Sequence, residues 1–292
     1  MIKIGTESSY YISLENYEDG LRKMKAHGYD CMDYQNISSP DSEIFRYGMD
    51  EFERYFDEVG ACAKETGIEI YQMHGLWPRR ADGKQEISEE DIELYEKQLT
   101  AAGLMGCNRL VIHPCMPYGW AADERRELAF EQTLKTVQRL LPSAKEKDVI
   151  ICLENMPFAN KAHSFSNIGE VKKLIQAAND PHVKACFDTG HSHVSNETPY
   201  DCVKTLGDDL AALHVHDTKY GRDMHMLPLQ GVVDWDGFIC GLNEIGYLGC
   251  FSLETGISWK VPEPMREKMQ IELAKIAKWF AAQIGGEKVE KI

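Results

Sequence analysis

The chain of 292 residues carries 32 Lys and Arg against 47 Asp and Glu, which gives a formal net charge of −15 at pH 7. This balance argues against a surface that neutralises a nucleic-acid backbone, because such binding is driven by Lys and Arg. With 43% hydrophobic and 27% charged residues, the composition is typical of a globular protein with ample core material. We therefore expect a small or neutral partner and no nucleic acid.

Membrane and secretory segments are not indicated by the sequence. No run of about 18 apolar residues appears, and the start, Met-Ile-Lys-Ile-Gly, lacks the basic and apolar regions of a signal peptide. The nine cysteines form no Cys-x-x-Cys pair, and several lie inside apolar runs, where Cys behaves as a small hydrophobic residue. We expect a cytoplasmic protein with reduced thiols, no membrane partner, and a surface compatible with a homo-oligomer.

Short apolar runs alternate with longer amphipathic segments along the chain. The eight runs that predict strands are residues 2–5, 29–34, 68–74, 109–113, 149–154, 183–188, 211–216 and 250–254. Between them, apolar residues recur at three- and four-residue steps in residues 52–63 and 269–280, as in helices that face a core. Residues 88–103 and 123–147 are long, charged and helix-prone, and Ser88, followed by Glu90 and Asp91, is predicted to start the first of these helices.

The alternation of strands and helices predicts a parallel sheet with helical crossovers, and eight such units predict a closed (β/α)8 TIM barrel. No linker rich in Gly, Pro or Ser divides the chain, so we expect one barrel domain over residues 1–284 and a C-terminal tail over residues 285–292. The alternative is an open doubly wound sheet. It is disfavoured because no Gly-x-Gly-x-x-Gly turn follows the first strand.

Six of the predicted strands end on side chains that could hold a metal ion or move a proton. Residues two apart share a face of a strand, and the residues two positions earlier are mostly small, as a narrow barrel interior requires. These side chains are thus predicted to point inward at the carboxyl ends of the strands, where TIM-barrel enzymes have their active sites. They are His74, His113, Glu154, Asp188, His214, His216 and Glu254.

Three of these groups are carboxylates, and no Lys or Arg accompanies them. An inward cluster of carboxylates repels itself unless a cation lies between its members. Oxygen and imidazole ligands suit Mn²⁺, Mg²⁺, Co²⁺ or Zn²⁺, and the absence of Cys ligands argues against a closed structural zinc site. We expect one divalent metal ion and no organic cofactor. The expected ligands are Glu154, Asp188, His214 and Glu254.

The motifs around these residues resemble those of the xylose isomerase-like TIM barrels. This superfamily contains sugar and sugar-phosphate isomerases and epimerases, inosose-processing enzymes and endonuclease IV. The resemblance covers nearly the whole chain, because each motif falls on the expected strand in the expected order. The motifs are FDTGH at residues 187–191, LHVHD at 213–217, DMH at 223–225, GVVDW at 231–235 and LE at 253–254.

The resemblance implies roles for individual residues. In the sugar-epimerase branch, the four expected ligands above bind the metal, and the position of His191 contacts a substrate hydroxyl. In the endonuclease branch, five further positions also bind zinc and give a three-metal site. This chain has those residue types, which does not separate the two branches. The positions are His74, His113, His191, Asp223 and His225.

The substrate class is less defined by the resemblance. Ketose epimerases commonly have an Arg six residues after the metal-binding His, whereas this chain has Tyr220 there, with Lys219 and Arg222 beside it. The net charge disfavours grip on a phosphate backbone. The residues expected to contact substrate are His74, His113, His191, His216, Arg222, Asp223 and His225.

Our first hypothesis is a metal-dependent isomerase or epimerase of a small sugar, sugar phosphate or polyol ketone. Glu154 and Glu254 would move the proton as base and acid, through an enediolate, while His191 orients the carbonyl oxygen. A lyase or dehydratase acting on a keto-sugar or inosose needs the same base and metal and stays open. An endonuclease IV-like phosphodiester hydrolase and a non-catalytic sugar-binding barrel are further alternatives.

Overall fold

The structure is a computed structural model that describes residues 2–77, 87–115, 122–157 and 165–285. The predicted tail, residues 285–292, lies outside the described residues except for Gly285. In chain order, the strands are β1 (Lys3–Glu7), β2 (Cys31–Tyr34), β3 (Glu69–His74), β4 (Arg109–Ile112), β5 (Ile150–Glu154), β6 (Val183–Asp188), β7 (Leu210–His214), β8 (Asp217–Lys219), β9 (Arg222–Met226) and β10 (Cys250–Leu253).

Eight of these strands form one parallel sheet in the order β10-β1-β2-β3-β4-β5-β6-β7. A parallel bridge between Val215 and Leu253 joins its two edges. The Val215 amide donates to Ser252 O at 2.9 Å, and the Glu254 amide donates to Val215 O at 3.0 Å. Closure of the barrel satisfies the edge strands, and the predicted (β/α)8 barrel is confirmed.

Helices follow the barrel strands and cover their outer face. They are α1 (Tyr17–His27), α2 (Met49–Thr66), α3 (Glu89–Met105), α4 (Ala122–Glu146), α5 (Ile168–Ala178), α6 (Thr189–Val194), α7 (Pro199–Leu206), α8 (Trp235–Glu244) and α9 (Glu263–Gln283). Ser88 caps α3 as predicted: its hydroxyl accepts from the Asp91 amide at 3.0 Å, and the Asp91 carboxylate accepts from the Ser88 amide at 3.2 Å. Among the described residues, no helix is both long and apolar enough to cross a bilayer.

The two faces of the strands pack as the alternation predicts. Leu153, Phe187 and Leu213 belong to the apolar core that the sheet shares with the helices. Cys152 and Cys186 instead belong to a separate small cluster of the barrel interior. The small interior residues leave the inward side chains at the strand ends room to converge.

One predicted strand boundary is wrong in a way that affects the site. Residues 211–216 were expected to form one strand, but β7 ends at His214. Beyond it, only Val215 still pairs with the sheet, and the chain then enters the antiparallel hairpin of β8 and β9. The hairpin was not predicted, because β9 is largely exposed and buries no alternating apolar face.

Candidate metal centre

The carboxyl ends of β5, β6, β7 and β10 bring four buried side chains together. One ligand atom from each of Glu154, Asp188, His214 and Glu254 lies within 4.8 Å of the others. The structure therefore assembles the same four residues that the sequence predicts as a ligand set. We call them the central group.

His214 lies between two carboxylates of the central group. Its Nδ1 atom is 2.9 Å from Glu154 Oε1 and 3.3 Å from Glu254 Oε2, and its side chain has no exposed surface. Burial alone would raise the pKa of Glu154, but the charges of His214 and His113 outweigh burial and hold it well below its usual range. For Glu254, burial dominates and raises the pKa well above its usual range.

The donor set of the central group fits a divalent cation. Glu154 Oε2 and Glu254 Oε2 are buried and accept no well-aligned hydrogen bond, although an imidazole nitrogen lies 3.3 Å from each of them. A buried carboxylate oxygen without a donor costs free energy unless a proton or a cation is nearby. Three carboxylates with one imidazole are a ligand set that Mn²⁺, Co²⁺, Zn²⁺ or Mg²⁺ can use.

A second group contacts Glu154 from the ends of β3 and β4. His113 Nε2 lies 3.3 Å from Glu154 Oε2, and the ring of His74 stacks on that of His214 with centroids 5.0 Å apart. Burial, together with the charges of His113 and His214, lowers the pKa of His74 to about 3, so its imidazole is neutral near pH 7. His74, His113 and Glu154 are close enough to hold a metal ion of their own.

A third group lies on the other side, where α6 begins directly after Asp188. Asp188 Oδ1 accepts from the His191 amide at 2.6 Å, so the helix start fixes His191 beside the central group. The His191 ring bonds Asn155 O through Nδ1 at 2.8 Å and contacts Asp223 Oδ2 through Nε2 at 3.2 Å. Burial lowers its pKa, but Asp188 and Asp223 together raise it to about 10.

The third group also contains His216 and His225, whose rings stack with centroids 4.3 Å apart. His216 is fully buried, and its Nε2 atom lies 3.0 Å from Asp188 Oδ2. His225 comes from β9, and its Nε2 atom lies 3.3 Å from Asp223 Oδ2. A Cβ atom at Gly190 would lie 2.0 Å from the His216 ring, so only glycine leaves space for that ring. The group that could hold a metal is His191, His216, Asp223 and His225.

Arg222 is the one predicted substrate contact outside these groups. It lies exposed at the start of β9, while Asp223, the next residue, belongs to the third group and lies 3.2 Å from His191 Nε2. The role of Arg222 stays a prediction.

Sequence reasoning missed two acidic residues of the same barrel end, Glu7 on β1 and Asp33 on β2. Asp33 is 1% exposed, and its Oδ2 atom lies 3.0 Å from His214 Nε2. Burial and the charge of Asp33 raise the pKa of Glu7 to about 7. The signal was present, since Gly5 precedes Glu7 and Cys31 precedes Asp33 by two residues, the same small-then-polar spacing as in the other strands.

Comparisons with known proteins support the fold. Residues 21–277 match the family model described as "Xylose isomerase-like TIM barrel". The chain is 32% identical over 201 residues to "Probable endonuclease 4" of Acholeplasma laidlawii, covering 63% of this chain and 66% of that one. It is 22% identical over 275 residues to "L-ribulose-5-phosphate 3-epimerase UlaE" of Salmonella paratyphi C, covering 92% of this chain and 90% of that one.

A further curated relative and a solved structure are also similar to this chain. The chain is 24% identical over 194 residues to the uncharacterized protein y4fM of Sinorhizobium fredii, covering 66% of this chain but 58% of that one. The crystal structure of D-psicose 3-epimerase with D-tagatose, from Clostridium cellulolyticum H10, superposes with a TM-score of 0.76. That match covers 96% of this chain and 99% of the other at 16% identity, which establishes a common fold.

Proposed function

Because the chain belongs to the xylose isomerase-like TIM barrel family, we propose that it is a divalent-metal-dependent isomerase or epimerase of a small sugar or polyol ketone. The observation that carries the proposal is the central group: three carboxylates and an imidazole with ligand atoms within 4.8 Å of one another. Supporting it, the relative named L-ribulose-5-phosphate 3-epimerase aligns over 92% of this chain.

Glu154, Asp188, His214 and Glu254 would hold the divalent ion, which would supply Lewis-acid stabilisation of negative charge on substrate oxygens. Glu154 and Glu254 also transfer protons to and from the substrate in this proposal. Each has two oxygens, and Oε2 of each accepts no well-aligned hydrogen bond. One glutamate removes the proton from the carbon next to the carbonyl, and the other returns a proton, with the substrate passing through an enediolate.

His191 positions the substrate in this scheme. Its ring is fixed by Asn155 O on one side and faces Asp223 on the other, and its raised pKa of about 10 keeps it protonated near pH 7. In the protonated imidazole both N–H groups are engaged, Nδ1 with Asn155 O and Nε2 with Asp223 Oδ2. A carbonyl or hydroxyl oxygen of the sugar therefore accepts from Nε2 in place of Asp223.

Exchange of substrate hydrogen in D₂O tests the proposal. The substrates are D-psicose, D-tagatose and L-ribulose 5-phosphate, which the names of the relatives suggest. On an accepted ketose, we expect E154Q and E254Q to lower exchange about 10²–10⁴-fold, because the amide is not a base. The matched control is E69Q, at the opposite end of the barrel, where Glu69 pairs with Lys3.

The outcomes separate the candidate reactions. Exchange at the wild-type rate in both variants would show that the two glutamates are not the proton-transfer groups. In an epimerase that works from two faces, either substitution stops the reaction, whereas in a one-base isomerase or lyase one glutamate matters far less. Product analysis by NMR identifies a lyase, because it releases water or another β-substituent.

Metal-assisted phosphodiester hydrolysis is the second candidate. Four overlapping groups of side chains among the described residues could each hold an ion, and the relative named "Probable endonuclease 4" is 32% identical over 201 residues. The net charge of −15 opposes it, because a nuclease must grip phosphates. About one ion per chain in elemental analysis supports the sugar reaction, and about three zinc ions support the hydrolase. We expect duplex DNA with an abasic site to stay uncut.

A further inference from the structure

We infer that Asp33 is a positioning residue for the metal centre: it holds the imidazole of His214 so that Nδ1 faces the ligand carboxylates, and Gln72 in turn holds Asp33. The inference rests on the metal-binding part of the proposed function. It does not depend on which substrate the protein uses.

The contacts form a continuous chain across the barrel. Asp33 Oδ2 lies 3.0 Å from His214 Nε2, on the opposite side of the ring from the central group. Gln72 Nε2 donates to the same Asp33 oxygen at 3.0 Å and to Leu213 O at 3.2 Å, directly before His214. All three polar side chains are at most 1% exposed. Gln72 therefore connects the carboxylate to the strand that carries the imidazole.

This arrangement selects which nitrogen of His214 can bind a metal. A neutral imidazole has one N–H donor and one nitrogen lone pair. When Nε2 donates its proton to Asp33, the nitrogen left to bind a metal ion is Nδ1, which lies 2.9 Å from Glu154 Oε1 and 3.3 Å from Glu254 Oε2. An ion bound there would replace the Nδ1 proton that these carboxylates attract in its absence. Carboxylates that accept the second N–H of a ligating histidine fix its ring and strengthen its binding.

A local irregularity of the sheet brings Gln72 level with Asp33. In the pairing of β2 with β3, Met32 is opposite Ile70, but the next residue, Asp33, is opposite Gln72, so Tyr71 is passed over. Such bulges re-aim side chains and are frequent near functional sites. With regular pairing, Tyr71 would lie opposite Asp33 and the amide donor would be displaced by one residue.

Stability alone does not account for Asp33. Its Oδ1 atom is buried without a hydrogen-bond partner, as is Gln72 Oε1. A buried, half-satisfied carboxylate is less favourable than a well-packed apolar side chain of similar volume. The contact with His214 is the one that benefits from a negative charge at this position.

Metal affinity tests the inference without any sugar. We expect Asp33→Asn to raise the dissociation constant for Mn²⁺ about 10–100-fold in calorimetric titration of metal-stripped protein. The matched control is Asp30→Asn, three residues earlier, whose carboxylate accepts from the Ile4 amide at the other end of the barrel. We expect this control to change the dissociation constant less than about twofold, and thermal unfolding shows whether each variant is folded.

We expect Gln72→Leu to raise the dissociation constant for Mn²⁺ by less than Asp33→Asn does. Asp33 keeps its contact with His214 in this variant but loses the hydrogen bond from the Gln72 amide. Its control is Gln98→Leu, a fully buried glutamine that bonds Leu76 N and Ile37 O away from the central group. A loss of folding stability is common to both variants. A loss of metal affinity is expected only for Gln72→Leu.

Side-chain ¹⁵N NMR of the Zn²⁺-loaded wild-type protein reports the nitrogen directly and needs no variant. We expect a protonated Nε2 and a metal-bound Nδ1 in His214. A metal-bound Nε2 would overturn the inference and make Asp33 a ligand, since Asp33, His74 and His214 are also close enough to hold an ion. A dissociation constant for Asp33→Asn within about threefold of wild type would overturn it as well.

Failure of the sugar proposal is distinguishable from failure of this inference. If no ketose exchanges hydrogen while Asp33→Asn still weakens Mn²⁺ binding, the sugar proposal fails and the positioning role holds. If wild-type protein binds no divalent ion, both are wrong.

Discussion

At the carboxyl ends of the barrel strands, Glu154, Asp188 and Glu254 are buried together within 4.8 Å of one another, with His214 among them. At the amino ends, acidic side chains instead pair with lysines near the surface. Asp209 accepts from both Lys172 Nζ and Lys184 Nζ at 2.7 Å. Carboxylates therefore cluster with one another and with an imidazole at the carboxyl ends, whereas at the amino ends they pair with lysines.

The difference separates function from stability. Partly exposed ion pairs such as those of Asp209 contribute a modest stabilisation, because water screens them. The central group leaves buried oxygens unpaired, which costs stability unless a cation binds. The ion pairs at the amino ends thus help to stabilise the barrel. The buried carboxylates at the carboxyl ends instead lower its stability until a cation binds to them. Four predictions test this division, beginning with the largest expected effect.

Asp188→Asn is expected to lower Mn²⁺ affinity and α-hydrogen exchange by at least about 10²-fold, because it removes a charge from the central group. The amide oxygen can still cap α6, where Asp188 accepts from the His191 amide. Asp209→Asn, at the other end, should change neither quantity. A chelator should reproduce the loss in the wild-type protein, and full activity of metal-free protein would contradict the mechanism.

Gly190→Ala is expected to lower the free energy of unfolding by about 1–3 kcal/mol, because the new Cβ would overlap the His216 ring and force it aside. Metal affinity should fall too, since His216 contacts Asp188. Gly48→Ala is the control, as a Cβ there meets nothing within 4 Å. Equal unfolding midpoints of the two variants in urea would show that the His216 ring moves freely.

Glu7→Gln tests the pH dependence of stability at the carboxyl end. Burial and Asp33 raise the folded-state pKa of Glu7 to about 7, above the unfolded value of about 4.3. The folded state then binds more protons than the unfolded state between these values, so this group makes stability fall as pH rises from about 4 to 7. Metal-free Glu7→Gln should lack this fall and exceed wild type by about 1–3 kcal/mol at pH 8, measured by urea unfolding.

Asp209→Asn tests the opposite pH dependence at the amino end and has the smallest effect. Burial raises the pKa of Asp209, but Lys172 and Lys184 outweigh it and lower the pKa below its usual range. Its stabilisation is therefore present above the unfolded pKa and is lost as pH falls through the folded pKa. We expect the variant to lose about 0.5–1 kcal/mol at pH 7 and to match wild type near pH 2. An equal loss at both pH values would assign the effect to packing.

The barrel itself could be predicted because its signals are local. Apolar alternation in each strand placed the strand ends within about two residues of where the structure has them, and the capping box of α3 was visible at Ser88. The central group followed from the same alternation, since inward residues at the ends of parallel strands must converge. Glu7 and Asp33 obey that rule and were overlooked.

The rest depended on contacts between distant segments. In the hairpin of β8 and β9, strand β9 is largely exposed and has no apolar face, so its sequence pattern does not predict a strand. This hairpin nevertheless places Asp223 and His225 in the third group. Nor does any local pattern show that a bulge sets Gln72 beside Asp33.

Residue types and spacing thus specify a barrel whose mouth is rich in carboxylates and imidazoles, because burial and periodicity act along the chain. Which oxygen meets which nitrogen is decided only when the strands close into a barrel. His214 offers two nitrogens that sequence cannot distinguish. The folded protein places Asp33 against Nε2 and Glu154 against Nδ1, because strand register and barrel closure fix the positions of all three side chains.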